Sequence, residues 1–335
     1  MSVEPKNILI LRLSSIGDIL LTTAFLRQVR NKYPDAKISY IVKQEFQDLL
    51  KYNPHINNLI PFDSSTKMEG LKALNLEFCK KNFDFIFDLH NNLRTNRMHA
   101  GIEKKKIFKI KKSKVKRAIL VYLKLNMYKS IKTIPQRYFE VGHEIEDDGQ
   151  GLELFLGPGK PKKFLEFDLT ENRYICIGPG AAHFTKMWPE KNFEELAEKI
   201  VSKTGYKVAI LGSAHEKNLL NGIQENEAVV NLCGKLNLLE SAEIISTSAG
   251  IISNDSGLMH MTAALNKPLL AIFGSTVEEL GFFPFRADAT ILQNKLWCRP
   301  CSHIGRKSCP LGHFNCMHLT TPQKVFKEVK RKLIS

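Results

Sequence analysis

Short, continuous apolar runs, each followed by a polar turn and then a stretch of helical spacing, recur along almost the whole chain. The first, residues 7–13 (NILILRL), is too uniformly apolar for a strand with one wet face and suits one buried on both. Residues 14–18 (SSIGD) are turn chemistry, and 19–33 then place Leu20, Ala24, Phe25 and Val29 on one helical face. Strands follow at 37–42, 58–61 and 83–89, with helices at 44–51 and 68–81 between them. The alternation resumes with strands at 173–178, 207–211, 229–232, 250–253 and 268–273. Helices at 192–203, 216–224, 238–247 and 258–265 separate them, and a last helix opens at Thr321-Pro322, an N-cap followed by proline at the first helical position. Strands that alternate with helices imply a parallel, doubly wound sheet. Residues 143–170 interrupt the pattern with the turn formers at 147–149, 157–159 and Pro161. The expected architecture is α/β, with two Rossmann-like doubly wound parallel-sheet domains, 1–155 and 156–335, facing across a cleft. In such sheets ligands sit beyond the carboxyl ends of the strands, so the loops there carry the interest.

The 335 residues hold 49 Lys and Arg against 34 Asp and Glu, a net charge of +15. That surplus points to an anionic partner: nucleic acid, an acidic membrane surface or a phosphorylated substrate. A solvated, lysine-rich surface would produce the same balance. No stretch approaches the roughly 20 apolar residues of a membrane span, and the first residues run into a strand without a signal-peptide pattern. A cytosolic protein is expected.

Four strand-end loops have the residues for chemistry. Ser14–Asp18 opens the first helix, where free N–H groups receive an anion, Gly17 lets backbone approach a ligand, and Asp18 is either a helix N-terminal carboxylate or a general base. The dinucleotide fingerprint G-x-G-x-x-G is absent. Residues 178–189 (GPGAAHFTKMWP) are small enough to admit a bulky ligand; Lys186 is placed to reach a phosphate, and Trp188 in a loop suggests an anchor. Residues 211–216 (LGSAHE) end in Glu216, which suits a ribose diol or caps a helix. Residues 253–260 (SNDSGLMH) lead from an apolar strand into a helix, a diphosphate cradle of backbone N–H groups, a serine hydroxyl and a helix dipole. His260, one turn in, either meets the ligand or is a satisfied core histidine.

Two further segments stand apart. Cys298, Cys301, Cys309 and Cys316 cluster with His303, His313 and His318, while Cys79, Cys176 and Cys233 are scattered in apolar contexts. The odd total of seven argues against a disulfide scaffold. A structural zinc site, packed reduced thiols and one isolated disulfide are all open for the cluster. Residues 104–117 hold nine Lys and Arg with interleaved apolar residues, and the apolar 118–125 follow. That pairing suits an anionic membrane surface, nucleic acid or plain solvation.

Taken in order, ILRLSSIGDILLTTAFLRQVR, DFIFDLHNNLR, PGAAHFTKMWPEKNF, NDSGLMHMTAAL and PLLAIFGST resemble the ADP-heptose:lipopolysaccharide heptosyltransferases, the inverting glycosyltransferase family nine of GT-B architecture. The resemblance spans nearly the whole chain. It implies transfer of heptose from ADP-heptose to the lipopolysaccharide inner core. The first domain would then bind the acceptor and the second the donor. It makes Asp18 the catalytic base with Ser15 near the reacting sugar, and puts Lys186 on the donor phosphates. Glu216 would hold the ribose, Asp255, Ser256, Gly257 and His260 the diphosphate loop, and Asn92 and Arg94 the anionic acceptor. No cofactor is implied, with zinc at the cysteine cluster as a structural option. Work at the cytoplasmic face of the inner membrane follows, in peripheral contact with anionic lipid and without nucleic acid. Ala181 and Ala182 stand where some members have hydroxyl residues, which leaves phosphate contacts there to backbone N–H groups. A same-fold transferase or epimerase using another nucleotide sugar is the alternative, and a basic nucleic-acid-binding protein a more distant one.

Overall fold

The computed structural model describes residues 4–142, 144–220, 222–223 and 227–334. Eleven strands lie along them: β1 (Asn7–Leu11), β2 (Lys37–Lys43), β3 (Asn58–Phe62), β4 (Phe85–Asp88), β5 (Ile107–Lys109), β6 (Tyr174–Gly178), β7 (Lys207–Ile210), β8 (Val229–Asn231), β9 (Ile251–Asn254), β10 (Leu269–Phe273) and β11 (Ala289–Gln293). They form two sheets, ordered β3-β2-β1-β4-β5 and β11-β10-β9-β6-β7-β8. Every pairing is parallel. The central strands β6, β9 and β10 are buried at every residue, which is why β6, β10 and the first half of β9 are apolar runs rather than alternating ones.

Both sheets reverse direction at their first strand. The chain runs outward through β1, β2 and β3 and returns to β4 on the other side of β1; β6 to β9 repeat the manoeuvre. Register places Leu11 opposite Asp88, and Gly178 opposite Ser253. Loops leaving those strands therefore diverge, and each sheet has a crevice at its switch point.

Two compact units contain the sheets: Met1–Lys112 with Ile134–Gly157, and Ser113–Thr133 with Pro158–Ser335. The sequence places all of 1–155 in the first domain. In the structure the 21 residues Ser113–Thr133 pack instead with the second unit. Helix Lys114–Leu123 buries Leu120 and Val121, and the Lys124 ammonium at its end donates to the carbonyls of Cys298 and Pro300 at 3.0 and 2.6 Å. The following helix Ile134–Phe139 returns to the first unit, where Phe139 meets Phe25.

Some local elements differ from the periodicity. The expected helix 19–33 is two helices, Ile16–Leu20 and Thr23–Lys32. Thr22 and Thr23 divide them, their hydroxyls donating to the carbonyls of Ile19 and Leu20. Residues 44–51 tighten into the 3₁₀ turn Gln44–Leu49. Of the expected helix 216–224, a 3₁₀ turn at Ala214–Glu216 is present, and residues 221 and 224 lie outside the described residues.

The second core joins the sheet to helices Glu190–Thr204 and Pro322–Lys332 through Phe193, Leu196, Ile200, Val325 and Val329. Phe193 stands edge-on to the fully buried Trp188 at 4.8 Å between centroids. Phe193→Ala is expected to lower unfolding stability by about 3–5 kcal/mol, read from urea titration.

Candidate functional site

The loops at the two switch points each gather polar side chains. In the first unit the organiser is Arg12, one residue past β1. Its guanidinium contacts Asp18 Oδ2 at 2.7 Å and donates to the carbonyls of Leu89 and Ser14 at 2.7 and 2.9 Å. One buried cation thus ties the loop after β1 to the loop after β4. Burial disfavours its charge, and the adjacent Asp18 carboxylate more than restores it, so its pKa lies above the ordinary value. Asp18 is the third residue of helix Ile16–Leu20 and forms a capping box with Ser15, whose N–H and hydroxyl reach Oδ2 at 3.4 and 3.2 Å. Its side chain is about a quarter exposed. The helix-terminal and the general-base descriptions of Asp18 are therefore compatible: the cap holds the carboxylate in place at an accessible rim.

The loop after β4 is built on Asp88, which is fully buried. Its carboxylate accepts from the N–H groups of His90 and Asn91 at 3.1 and 2.7 Å and lies 3.2 Å from His99 Nε2. Burial works against its charge, and His99 with the Asn91 amide outweighs it, leaving the pKa below the usual carboxylate range. His90 Nδ1 accepts the N–H of Leu13 at 3.2 Å, which puts the proton of the neutral ring on Nε2. Burial, assisted by the charge of Arg12, lowers the His90 pKa to about 4. Asn92 caps helix Leu93–Met98, its Oδ1 accepting from the N–H of Thr95 at 3.0 Å, and Arg94 is exposed on that helix.

In the second unit Lys186 Nζ pairs with Asp255 Oδ2 at 2.8 Å, and Thr276 donates to the same oxygen at 2.7 Å. Asp255 is buried, whereas Lys186 and the first turn of helix Gly257–Ala264 remain accessible. Asp255 therefore positions the lysine. Ser256 makes no side-chain cap; its hydroxyl lies 3.1 Å from that of Ser253, and the opening N–H groups of the helix stay available for an anion. Asn254 clamps both ends of the 179–188 loop, donating to the Pro179 carbonyl at 2.6 Å and accepting the Trp188 N–H at 3.0 Å. Trp188 is the anchor its loop position suggests: its indole N–H donates to Thr320 O at 2.8 Å. Glu216 closes a capping box with Ser213 and lies against Gly180, where an added Cβ would stand 1.5 Å from Oε1. His260 is buried one turn into its helix.

Lys186, Glu216, Asp255, Ser256 and Gly257 thus converge at the carboxyl ends of β6, β7 and β9, while Ser15 and Asp18 belong to the first unit. Sequence reasoning missed Arg12, His90 and Thr276. Their residue types were in view, a lone Arg closing an apolar strand, a His in DLHNNLR and a hydroxyl in FGST after β10, but nothing local marked the contacts that make them matter.

All seven cysteines are free thiols, so no disulfide forms in the tail. Cys298, Cys301, Cys309, Cys316 and His313 line one cavity of about 210 Å³. Cys298 Sγ lies 3.9 Å from His313 Nε2, and burial pushes the Cys316 thiol up to about 11. Among the described residues no three His, Cys, Asp or Glu are arranged to hold a metal ion. As they stand, these side chains do not form a zinc cage.

Two parallel-sheet α/β domains, each with its ligand loops at the switch point, define a protein of GT-B architecture. The model of glycosyltransferase family 9 (heptosyltransferase) matches residues 72–311, well over half the chain. Lipooligosaccharide heptosyltransferase 2 of Haemophilus influenzae is 29% identical over 86% of this chain and 88% of its own length. A family 9 glycosyltransferase structure from Veillonella parvula superposes with a TM-score of 0.78 at 22% identity, covering 99% of this chain and 98% of that one. The Escherichia coli ADP-heptose lipopolysaccharide heptosyltransferase II structure gives 0.70 at 22% identity, covering 97% and 98%. The chain belongs to glycosyltransferase family 9 and is a glycosyltransferase.

The histidine in the first-unit loop generates a pH dependence. Its folded-state pKa of about 4 lies below the ordinary 6.5. The unfolded chain therefore binds the extra proton between those values, and stability falls as pH drops through that window. Unfolding titrations at pH 7 and pH 4 should show wild type losing up to about 3 kcal/mol more than His90→Gln. Equal losses would remove His90 as a buried neutral ring.

Proposed function

We propose that this glycosyltransferase moves heptose from ADP-heptose to the inner core of lipopolysaccharide with inversion. The observation that carries the donor half is the anion-receptive cluster of the second unit. Lys186, held by Asp255, and the uncapped first turn of helix Gly257–Ala264 supply positive potential where a leaving diphosphate gathers charge. Glu216, braced against Gly180, supplies the carboxylate for ribose hydroxyls. The heptosyltransferase relatives support the sugar and the acceptor.

Asp18 takes the proton of the acceptor hydroxyl as that oxygen attacks the anomeric carbon. The bond to the ADP oxygen breaks on the opposite face, and ADP departs with the electron pair. Arg12 and Ser15 hold the base in register. Arg94, exposed beside this loop, meets anionic groups of the acceptor, and Asn92 shapes the turn that presents it. Lys186 and helix N–H groups do the work of charge stabilisation, so a metal ion has no assigned part in the transfer. The acceptor is a membrane glycolipid, which places the enzyme peripherally at the cytoplasmic face of the inner membrane.

Incubation with ADP-heptose and deacylated inner-core acceptor, followed by mass spectrometry, tests the proposal; no mass gain while ADP binds would refute it. Asp18→Asn should lower turnover about 10²–10⁴-fold with ADP affinity kept. Gly180→Ala should displace the Glu216 carboxylate and weaken ADP binding about tenfold or more, matching Glu216→Ala in calorimetry.

A further inference from the structure

The second unit carries an exposed apolar surface that the transfer chemistry does not use. Helix Lys114–Leu123 turns Leu120 and Val121 inward and leaves Val115, Tyr122 and Leu123 exposed, followed by exposed Leu125 and Met127. Across from the helix end stand Trp297, 77% exposed, and Leu311. Tyr122, Trp297 and Leu311 line the same cavity, and the bonds from Lys124 to the Cys298 and Pro300 carbonyls fasten the two segments together. Residues more than 170 positions apart in sequence thus form one face.

The two segments that build that face carry positive charge, with the Glu279 carboxylate of a neighbouring turn accepting from Asn126 Nδ2 at 3.3 Å. Ser113–Thr133 contains six Lys and Arg and no Asp or Glu. No acidic residue occurs between Asp288 and Glu328 either, a stretch that includes Lys295, Arg306 and Lys307. Single exposed apolar side chains are ordinary, but clustered ones mark a binding surface. An indole and a phenol among leucines, on two segments whose charged residues are Lys and Arg, match the headgroup–acyl boundary of an anionic bilayer. A second copy of the chain would bring like charges together, and the leucines and methionine have no stacking role on nucleic acid.

We infer that the face formed by helix Lys114–Leu123, Leu125, Met127 and the Trp297–Leu311 segment inserts shallowly into a bilayer rich in anionic phospholipid. The inference rests on the membrane-borne acceptor of the proposed function and specifies which surface meets the membrane. Lys104–Lys112, the other half of the basic run, belongs to the first unit and is not part of it.

The chain has two tryptophans, and Trp188 is buried at 1% exposure, so changes in indole emission report Trp297. Full-length protein mixed with phosphatidylglycerol–phosphatidylcholine vesicles should shift its emission to the blue. Lipids brominated on their acyl chains should quench it. Trp297→Phe should abolish both signals, and phosphatidylcholine alone should give neither. The double variant Lys114→Gln, Lys116→Gln should bind about thirtyfold more weakly, and about 1 M salt, with a screening length near 3 Å, should weaken wild type similarly. Wild-type protein that shows no shift with anionic vesicles, or shifts only with single-stranded RNA, overturns the inference. Leu123→Ser with Leu125→Ser should keep turnover on deacylated acceptor and lose vesicle binding. Transfer to soluble acceptor without vesicle binding sinks this surface alone, whereas vesicle binding without transfer to any acceptor sinks the proposed reaction.

Discussion

Two fully covered parallel sheets govern where chemistry can happen in this chain. Their central strands are apolar along most of their length, and the buried polar residues of β9, Ser253 and Asn254, come at its carboxyl end. The carboxyl ends at the switch points are where the backbone comes free, and every catalytic or donor-binding assignment falls there. The crevices beside β1 and β4, and beside β6 and β9, follow from strand order alone.

Within each crevice one ion pair does the local organising. Arg12 bridges two loops and Asp18; Asp255 holds Lys186 with help from Thr276. The two pairs are reversed in design. In the first unit the cation is the less exposed member, at 11% against 24% for the carboxylate. In the second the carboxylate is the less exposed member, at 5% against 16% for the ammonium. Each pair neutralises its less exposed charge and fixes the side chain of the other member in place.

Much of this was legible in the chain. Nine of the eleven strands appear within a residue or two of their apolar runs, because burial leaves a compositional trace; the edge strands β5 and β11 hold no buried residue and were not expected. Gly180, Glu216, Ser256 and Gly257 were readable as ligand-loop residues from their position after strands. Arg12 and Thr276 were not, because their importance lies in contacts with residues 6 and 21 positions away. His90 was passed over because its depressed pKa comes from burial against Leu13 and Arg12, which no local pattern announces.

The sequence by itself determined the alternation of strand and helix, the polar loops at the strand ends, and the family. These depend on local periodicity and short motifs, which neighbours along the chain specify. Tertiary structure alone decided that Ser113–Thr133 packs with the second unit, that the four tail cysteines line one cavity, and that Asp255 pairs with Lys186. Those outcomes depend on which distant surfaces bury each other, and a linear pattern does not record that choice.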